Sequence, residues 1–179
     1  MTKKQNVYLG LGTNRGNKVE NLTRAIEELS LVLGCCKAVS PFMETEPWGY
    51  DSSNSYLNCA ADFETDIPPM ELLEITEGIE RKLGRAEKTV NGEYRDRIID
   101  IDILLYGNTI LKSERLTIPH PLMHRREFVL RPLCHIAPSA MHPVLGLDIK
   151  ELLLMLEDKT SGREELKNHK RQSSGNHAC

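Results

Sequence analysis

The 179-residue chain is 40% hydrophobic and 27% charged, the balance of one water-soluble globular domain. Twenty-three Lys and Arg against 26 Asp and Glu leave −3, which argues against a nucleic-acid-binding surface and against an acidic disordered chain. No apolar run approaches the roughly 20 residues of a bilayer span, and Met1-Thr-Lys-Lys enters a strand-like run with no apolar signal region, so a cytoplasmic protein is expected.

Val7-Tyr-Leu-Gly-Leu predicts a buried strand, closed by a Gly- and Asn-rich turn from Gly12 to Asn17. The stretch Gly10-Leu-Gly-Thr-Asn-Arg-Gly lacks the Lys-Ser/Thr ending of a P-loop and the glycine spacing of a dinucleotide fingerprint; it reads as a strand-to-helix turn. Leu22, Ile26, Leu29 and Leu33 recur at helical spacing up to Gly34. Strands are expected around Lys37–Met43 and over Tyr56–Thr65. The Pro/Gly loop between them holds the sole tryptophan, Trp48, with Tyr50, rings that either cover a flat ligand or pack the loop onto the core. Pro68-Pro69 opens a second helix that ends at Gly84, and Ile98–Tyr106 is the strongest strand pattern. Short helices follow around Arg126–Ala137 and Ile149–Glu157.

The order strand, helix, two strands, helix, strand predicts an α+β ferredoxin-like sandwich, with helices packed on an antiparallel or mixed sheet. Residues 1–158 form a single domain in this scheme. Residues 159–179, with five Lys or Arg and two Glu, form a polar basic tail expected to be disordered. The five cysteines lack CxxC spacing, which suits reduced, buried thiols better than a disulfide framework or zinc site.

Asp100-Ile-Asp102 is the sharpest chemical feature. In a strand both carboxylates share one face and Ile99, Ile101 and Ile103 the other. Paired carboxylates suit magnesium, which takes few of them and keeps waters and substrate phosphates; a solvated acidic edge is the alternative. Arg85, Arg95 and Arg97 precede this strand, and Arg115, His120, Arg125 and Arg126 follow it. Metal and guanidinium groups together are what a polyphosphate requires, so phosphate chemistry is the favoured reading.

Leu9-Gly-Leu-Gly-Thr-Asn, Tyr56-Leu-Asn, Leu83-Gly-Arg, Arg97-Ile-Ile-Asp-Ile-Asp-Ile-Leu, Arg115-Leu-Thr-Ile-Pro-His-Pro and Arg126–Phe128 occur in that order. The ordered set resembles the 6-hydroxymethyl-7,8-dihydropterin pyrophosphokinase family of folate biosynthesis. The resemblance runs from about residue 6 to about residue 146. It implies transfer of pyrophosphate from ATP to the pterin hydroxymethyl group. It also implies two Mg2+ ions on Asp100 and Asp102, and Tyr56 and Phe128 sandwiching the pterin. Asn58 would pair with the pterin edge, helped by Thr45 and by backbone near Pro47 and Trp48. Arg85 and Arg97 would engage the phosphates during turnover, and Glu80, Ile103, Arg115, Thr117, His120 and Arg126 would surround the nucleotide. No nucleic acid, membrane or obligate protein partner is expected.

Three departures stand out. Tyr94-Arg-Asp-Arg replaces the family's common Trp-Gly-Pro-Arg run in a longer loop, so Arg95 competes with Arg97 for its role. Glu77 stands where glutamine is frequent, and Pro121 where tyrosine is. Nucleotidyl transfer is a rival reaction, but Gly12-Thr13 lies far upstream of Asp100. A non-catalytic RNA- or ligand-binding module is the rival from another class; its surface would need exposed sheet aromatics and net positive charge.

Overall fold

The computed structural model describes residues 3–46, 55–84 and 98–173, with side chains described up to residue 161. Arg85, Arg95 and Arg97, together with Pro47, Trp48 and Tyr50, lie outside the described residues. In chain order the elements are β1 (Gln5–Thr13), α1 (Lys18–Leu33), β2 (Ala38–Val39), β3 (Met43–Thr45), β4 (Tyr56–Thr65), α2 (Pro69–Lys82) and β5 (Asp100–Tyr106). The hairpin of β6 (Leu111–Lys112) and β7 (Thr117–Ile118) follows. Then come α3 (Glu127–Ile136), the short pair β8 (Met141–His142) and β9 (Leu147–Asp148), and α4 (Ile149–Ser173).

β1 sits between β4 and β5, and β2 and β3 pair successively with the far edge of β4, every pairing antiparallel. This is the ferredoxin-like strand arrangement, and the element order matches the expected one. The predicted strand at Lys37–Met43 divides in two around Pro41, which has no N–H to give a ladder. Ser40 bridges the gap: its N–H donates to Ala60 O at 2.9 Å, and its hydroxyl accepts Ala60 N–H at 3.0 Å.

Alternation along the strands builds two cores. Val7, Leu9, Leu11, Ala61, Phe63, Ile101 and Ile103 point to one face, where α1 supplies Leu22 and Leu29 and α2 supplies Leu72 and Ile79. On the other face Ala60, Leu104 and Leu105 meet Leu130 and Leu133 of α3 and Ile149 and Leu152 of α4. Local chemistry sets the helix ends. The Asn17 side chain accepts Glu20 N–H at 3.2 Å and donates its amide N–H to the Glu20 carboxylate at 3.1 Å. Gly34, at φ +92°, closes α1 in a backbone conformation that a Cβ would oppose.

α4 continues to Ser173, so the boundary expected after residue 158 falls inside a helix and not at its end. Residues 157–172 contain Glu, Lys, Arg, Gln and Leu in numbers that favour helix even without an apolar stripe. The cysteines differ in part from expectation: Cys59 is buried and its thiol pushed up to about 12 by burial, whereas Cys35 is exposed.

Asp62 is the costly residue of the sheet. It is 8% exposed, and its Oδ1 has no hydrogen-bond partner among the described residues. Burial raises its pKa, the Lys37 cation opposes that, and Glu64 adds to it. A carboxyl with a raised folded pKa is harmless when protonated and destabilising once pH climbs through that pKa. Asp62→Asn should therefore raise stability at neutral pH by about 1–2 kcal/mol. The gain should fade as pH falls towards about 4, as melts at both pH values would show.

Candidate active site

The register of three strands assembles the site. Gly10 on β1 lies between Asp102 and Ala60, and Gly12 lies between Asp100 and Asn58. Residues two apart on a strand share a face. Asp100, Asp102, Tyr56 and Asn58 thus rise on the side that carries α3, while Ile99, Ile101 and Ile103 pack into the opposite core. Gly10 and Gly12 contribute no side chains, so a bare strip of strand separates the paired carboxylates from the Tyr56–Asn58 end. These residues line one cleft with Thr45 and Glu46 at the end of β3 and Arg126, Phe128 and Val129 at the start of α3.

The two glycines are the functional residues that the sequence expectation missed. The sequence placed Gly12 in a turn, but β1 runs unbroken to Thr13 because it is laddered on both sides. The signal was present as a Gly-x-Gly alternation, which in a strand clears two positions of one face. A Cβ on Gly12 would come within 2.8 Å of Asn58 Oδ1.

One end of the cleft gathers two rings and an amide, groups that could hold a flat heterocycle. Asn58, 6% exposed, donates its amide N–H to Thr45 Oγ1 at 2.7 Å, which locks its orientation. Phe128 of α3 lines the same cleft, with the Arg126 guanidinium 5.7 Å from its ring centroid. At the base of β4, Ser55 receives Lys18 Nζ at 2.8 Å and donates to the Glu44 carboxylate, tying the strand's start to α1 and β3.

The other end gathers Asp100, Asp102, Arg126 and His120, groups that could meet phosphate and cation. His120 Nε2 lies 3.9 Å from Asp102 Oδ2, and His120 Nδ1 accepts Leu122 N–H at 3.2 Å. Burial, then the Arg126 cation, lower the imidazole pKa to about 4 against a smaller opposing pull from Asp100. The ring is neutral at physiological pH, its proton on Nε2, where it can donate to a phosphate oxygen. Because the folded pKa is depressed, its contribution to stability is complete above the unfolded value of about 6.5 and is lost as pH falls through the folded one. Among the described residues no group of three or more His, Cys, Asp or Glu forms a closed cation site. Two carboxylates facing an open cleft suit a hard divalent cation that completes its shell with waters and phosphate oxygens.

The expected site residues therefore divide. Thr45, Tyr56, Asn58, Phe128, Arg126, Asp100 and Asp102 share the cleft, and His120 borders it. Ile103 is buried in the α1–α2 core. Arg115 pairs with α2 through Glu77 at 3.1 Å and Glu74 at 3.5 Å, so the glutamate found where the family often has glutamine engages an arginine expected to meet nucleotide. Thr117 pairs with Lys112 in the β6–β7 hairpin. Glu80, 5% exposed, accepts Ile101 N–H on Oε1 at 2.7 Å. Pro121 is exposed.

Fold and cleft together define a ferredoxin-like α+β domain whose cleft carries two carboxylates at one end and two aromatic rings with a buried amide at the other. The profile of the 7,8-dihydro-6-hydroxymethylpterin-pyrophosphokinase (HPPK) family matches residues 8–138. The 2-amino-4-hydroxy-6-hydroxymethyldihydropteridine pyrophosphokinase of Porphyromonas gingivalis is 44% identical over 138 residues, covering 76% of this chain and 93% of that protein. The Aquifex aeolicus protein of the same name is 36% identical, with 81% and 88% covered. The Dictyostelium discoideum folic acid synthesis protein FOL1 is 40% identical across 84% of this chain but only 22% of its own length. Among solved structures, wild-type Plasmodium falciparum HPPK-DHPS superposes with a TM-score of 0.73 at 18% identity, over 91% of this chain and 46% of that one. At such identity the likeness shows the fold. The chain belongs to the HPPK family.

Proposed function

We propose that this chain transfers the terminal pyrophosphoryl group of ATP to the hydroxymethyl oxygen of 6-hydroxymethyl-7,8-dihydropterin. The pterin hydroxyl oxygen bonds to the β-phosphorus, the bond from that phosphorus to the α–β bridging oxygen breaks, AMP leaves and the hydroxyl proton passes to solvent. The register of β1 carries the reading. Asn58 and the Asp100/Asp102 pair stand on opposite flanks of Gly10 and Gly12, two strand spacings or roughly 10 Å apart. A heterocycle held at one flank can thus reach a triphosphate held at the other across an unobstructed floor.

In this scheme Tyr56 and Phe128 fix the plane of the ring, and the Asn58–Thr45 pair reads its amide edge, with Pro47 and Trp48 supplying further backbone. Arg126 and the neutral His120 take phosphate oxygens. Two Mg2+ ions, when held by Asp100 and Asp102, would offset phosphate charge and polarise the transferring group. Arg85 and Arg97 add cationic contacts during turnover, and Arg115 and Thr117 lie along the nucleotide side; Ile103, its side chain buried in the core, can meet the nucleotide only through its backbone, and Glu80 supports β5 from α2. Positioning and charge neutralisation carry the catalysis, as elsewhere in phosphoryl transfer. Residues 1–158 form the catalytic unit, acting in the cytoplasm.

AMP release that requires both pterin and Mg2+ would support this function; pyrophosphate release with AMP joined to an acceptor would replace it with nucleotidyl transfer. The stacking roles have their own test. Phe128→Ala and Tyr56→Ala should each weaken pterin binding, by about 1 kcal/mol from lost stacking plus the lost contact area, with little change in ATP affinity. Rings serving only as core would instead cost roughly 3–5 kcal/mol of stability and affect both ligands alike. Melts beside pterin and ATP titrations separate the two.

A further inference from the structure

We infer that Glu80 is a positioning residue for the cation site, acting through the backbone of β5 and not by touching nucleotide. The inference rests on the assignment of Asp100 and Asp102 to magnesium. Among the described residues β5 is an edge of the five-stranded sheet, with β1 as its neighbouring strand. In an antiparallel pair alternate residues turn their N–H and C=O groups towards the partner, and those between turn them outward. Ile101 is one of the outward residues, since its N–H donates to a side chain of α2. It is also the residue between the two aspartates, and its own side chain is 5% exposed in the α1–α2 core.

A buried outward N–H needs an acceptor. Glu80 Oε1 supplies it at 2.7 Å from a carboxylate that is itself 5% exposed. The segment Asp100–Asp102 is consequently held from three directions: β1 on one edge, Glu80 on the other and Ile101 in the core beneath. The two carboxylates leave the opposite face of this held backbone. A cation bound by only two protein carboxylates depends on their spacing more than one held in a closed shell, because no further protein ligand compensates for misplacement. The clamp needs an acceptor oxygen and not a negative charge, so glutamine at position 80 should preserve it.

The test compares wild type, Glu80→Gln and Glu80→Ala, with Glu80→Met as a bulkier variant lacking the acceptor in case alanine fails to fold. Two quantities are read: hydrogen exchange of the Ile101 amide without ligands, and the affinity for Mn2+ in the presence of a non-hydrolysable ATP analogue. The acceptor-free variant should exchange at Ile101 about tenfold faster or more and lose Mn2+ affinity by about tenfold or more, with pterin binding unchanged. Glu80→Gln should stay within about threefold of wild type in both. Faster exchange with unchanged Mn2+ affinity would reduce Glu80 to a structural residue and overturn the inference. So would collapse of both acceptor-free variants while Glu80→Gln folds. A Glu80→Gln protein that keeps Ile101 protected yet loses Mn2+ as badly as alanine would also overturn it, by showing that the charge acts on the ligands directly. Wild type that binds no Mn2+ with the analogue would overturn the cation site itself, a failure visible before any variant is compared.

Discussion

Asp100→Ala and Asp102→Ala should each lower kcat by about a thousandfold or more, equivalent to roughly 4 kcal/mol of transition-state stabilisation. The expectation follows from the smallness of the donor set. Among the described residues no third acidic, histidine or cysteine group completes a closed cation site, so neither carboxylate has a substitute. Folding should not suffer. The two side chains are half-buried on one face of the same edge strand, and removing one relieves like-charge repulsion. Melting temperatures that hold or rise, beside collapsed turnover at saturating Mg2+, are the expected pair of results. Undiminished kcat in either variant would refute the cation assignment.

Gly12→Val should abolish pterin binding while leaving the fold recognisable. The added Cβ would stand 2.8 Å from Asn58 Oδ1, too close for any unshifted pair of atoms. Asn58 is buried, and its amide is committed to Thr45 at 2.7 Å, so moving it breaks the bond that sets its orientation. The rest of the valine side chain would stand on the floor between the heterocycle and the phosphates. A loss of pterin affinity of about a hundredfold or more is expected, the cost of a misdirected buried polar group plus a filled pocket. Valine suits a strand, so stability should change far less than affinity. Calorimetric titration with pterin beside a thermal melt measures both. Valine that binds pterin normally would show that the floor of the cleft is not where the ring lies.

Much of this was legible in the chain because local pattern and tertiary role coincide. The alternation of Asp100 and Asp102 with Ile99, Ile101 and Ile103 dictates which face is wet, and the structure buries all three isoleucines. Pro69 and the apolar spacing of Leu72 and Ile79 define α2 for the same reason. What could not be read depended on partners distant in sequence. Gly12, expected to open a turn, has poor strand propensity, and only pairing with β4 and β5 on both sides makes it strand. Pro41 divides the strand expected over Lys37–Met43, and the Ser40 bonds that repair the gap reach twenty residues along the chain to Ala60. The bond from Ile101 to Glu80 spans 21 positions and has no periodic signature. Nor does the burial of Asp62, a charged residue inside the strand expected over Tyr56–Thr65.

The most direct test of the central claim follows the phosphorus atoms. Purified protein is given Mg2+, 6-hydroxymethyl-7,8-dihydropterin and ATP labelled at either the α- or the β-phosphorus, and the products are separated. Pyrophosphoryl transfer predicts that the β-label moves entirely to the pterin and the α-label remains in AMP, with neither product formed when pterin or Mg2+ is omitted. An α-label joined to the acceptor, or a β-label released as free pyrophosphate, would contradict the account.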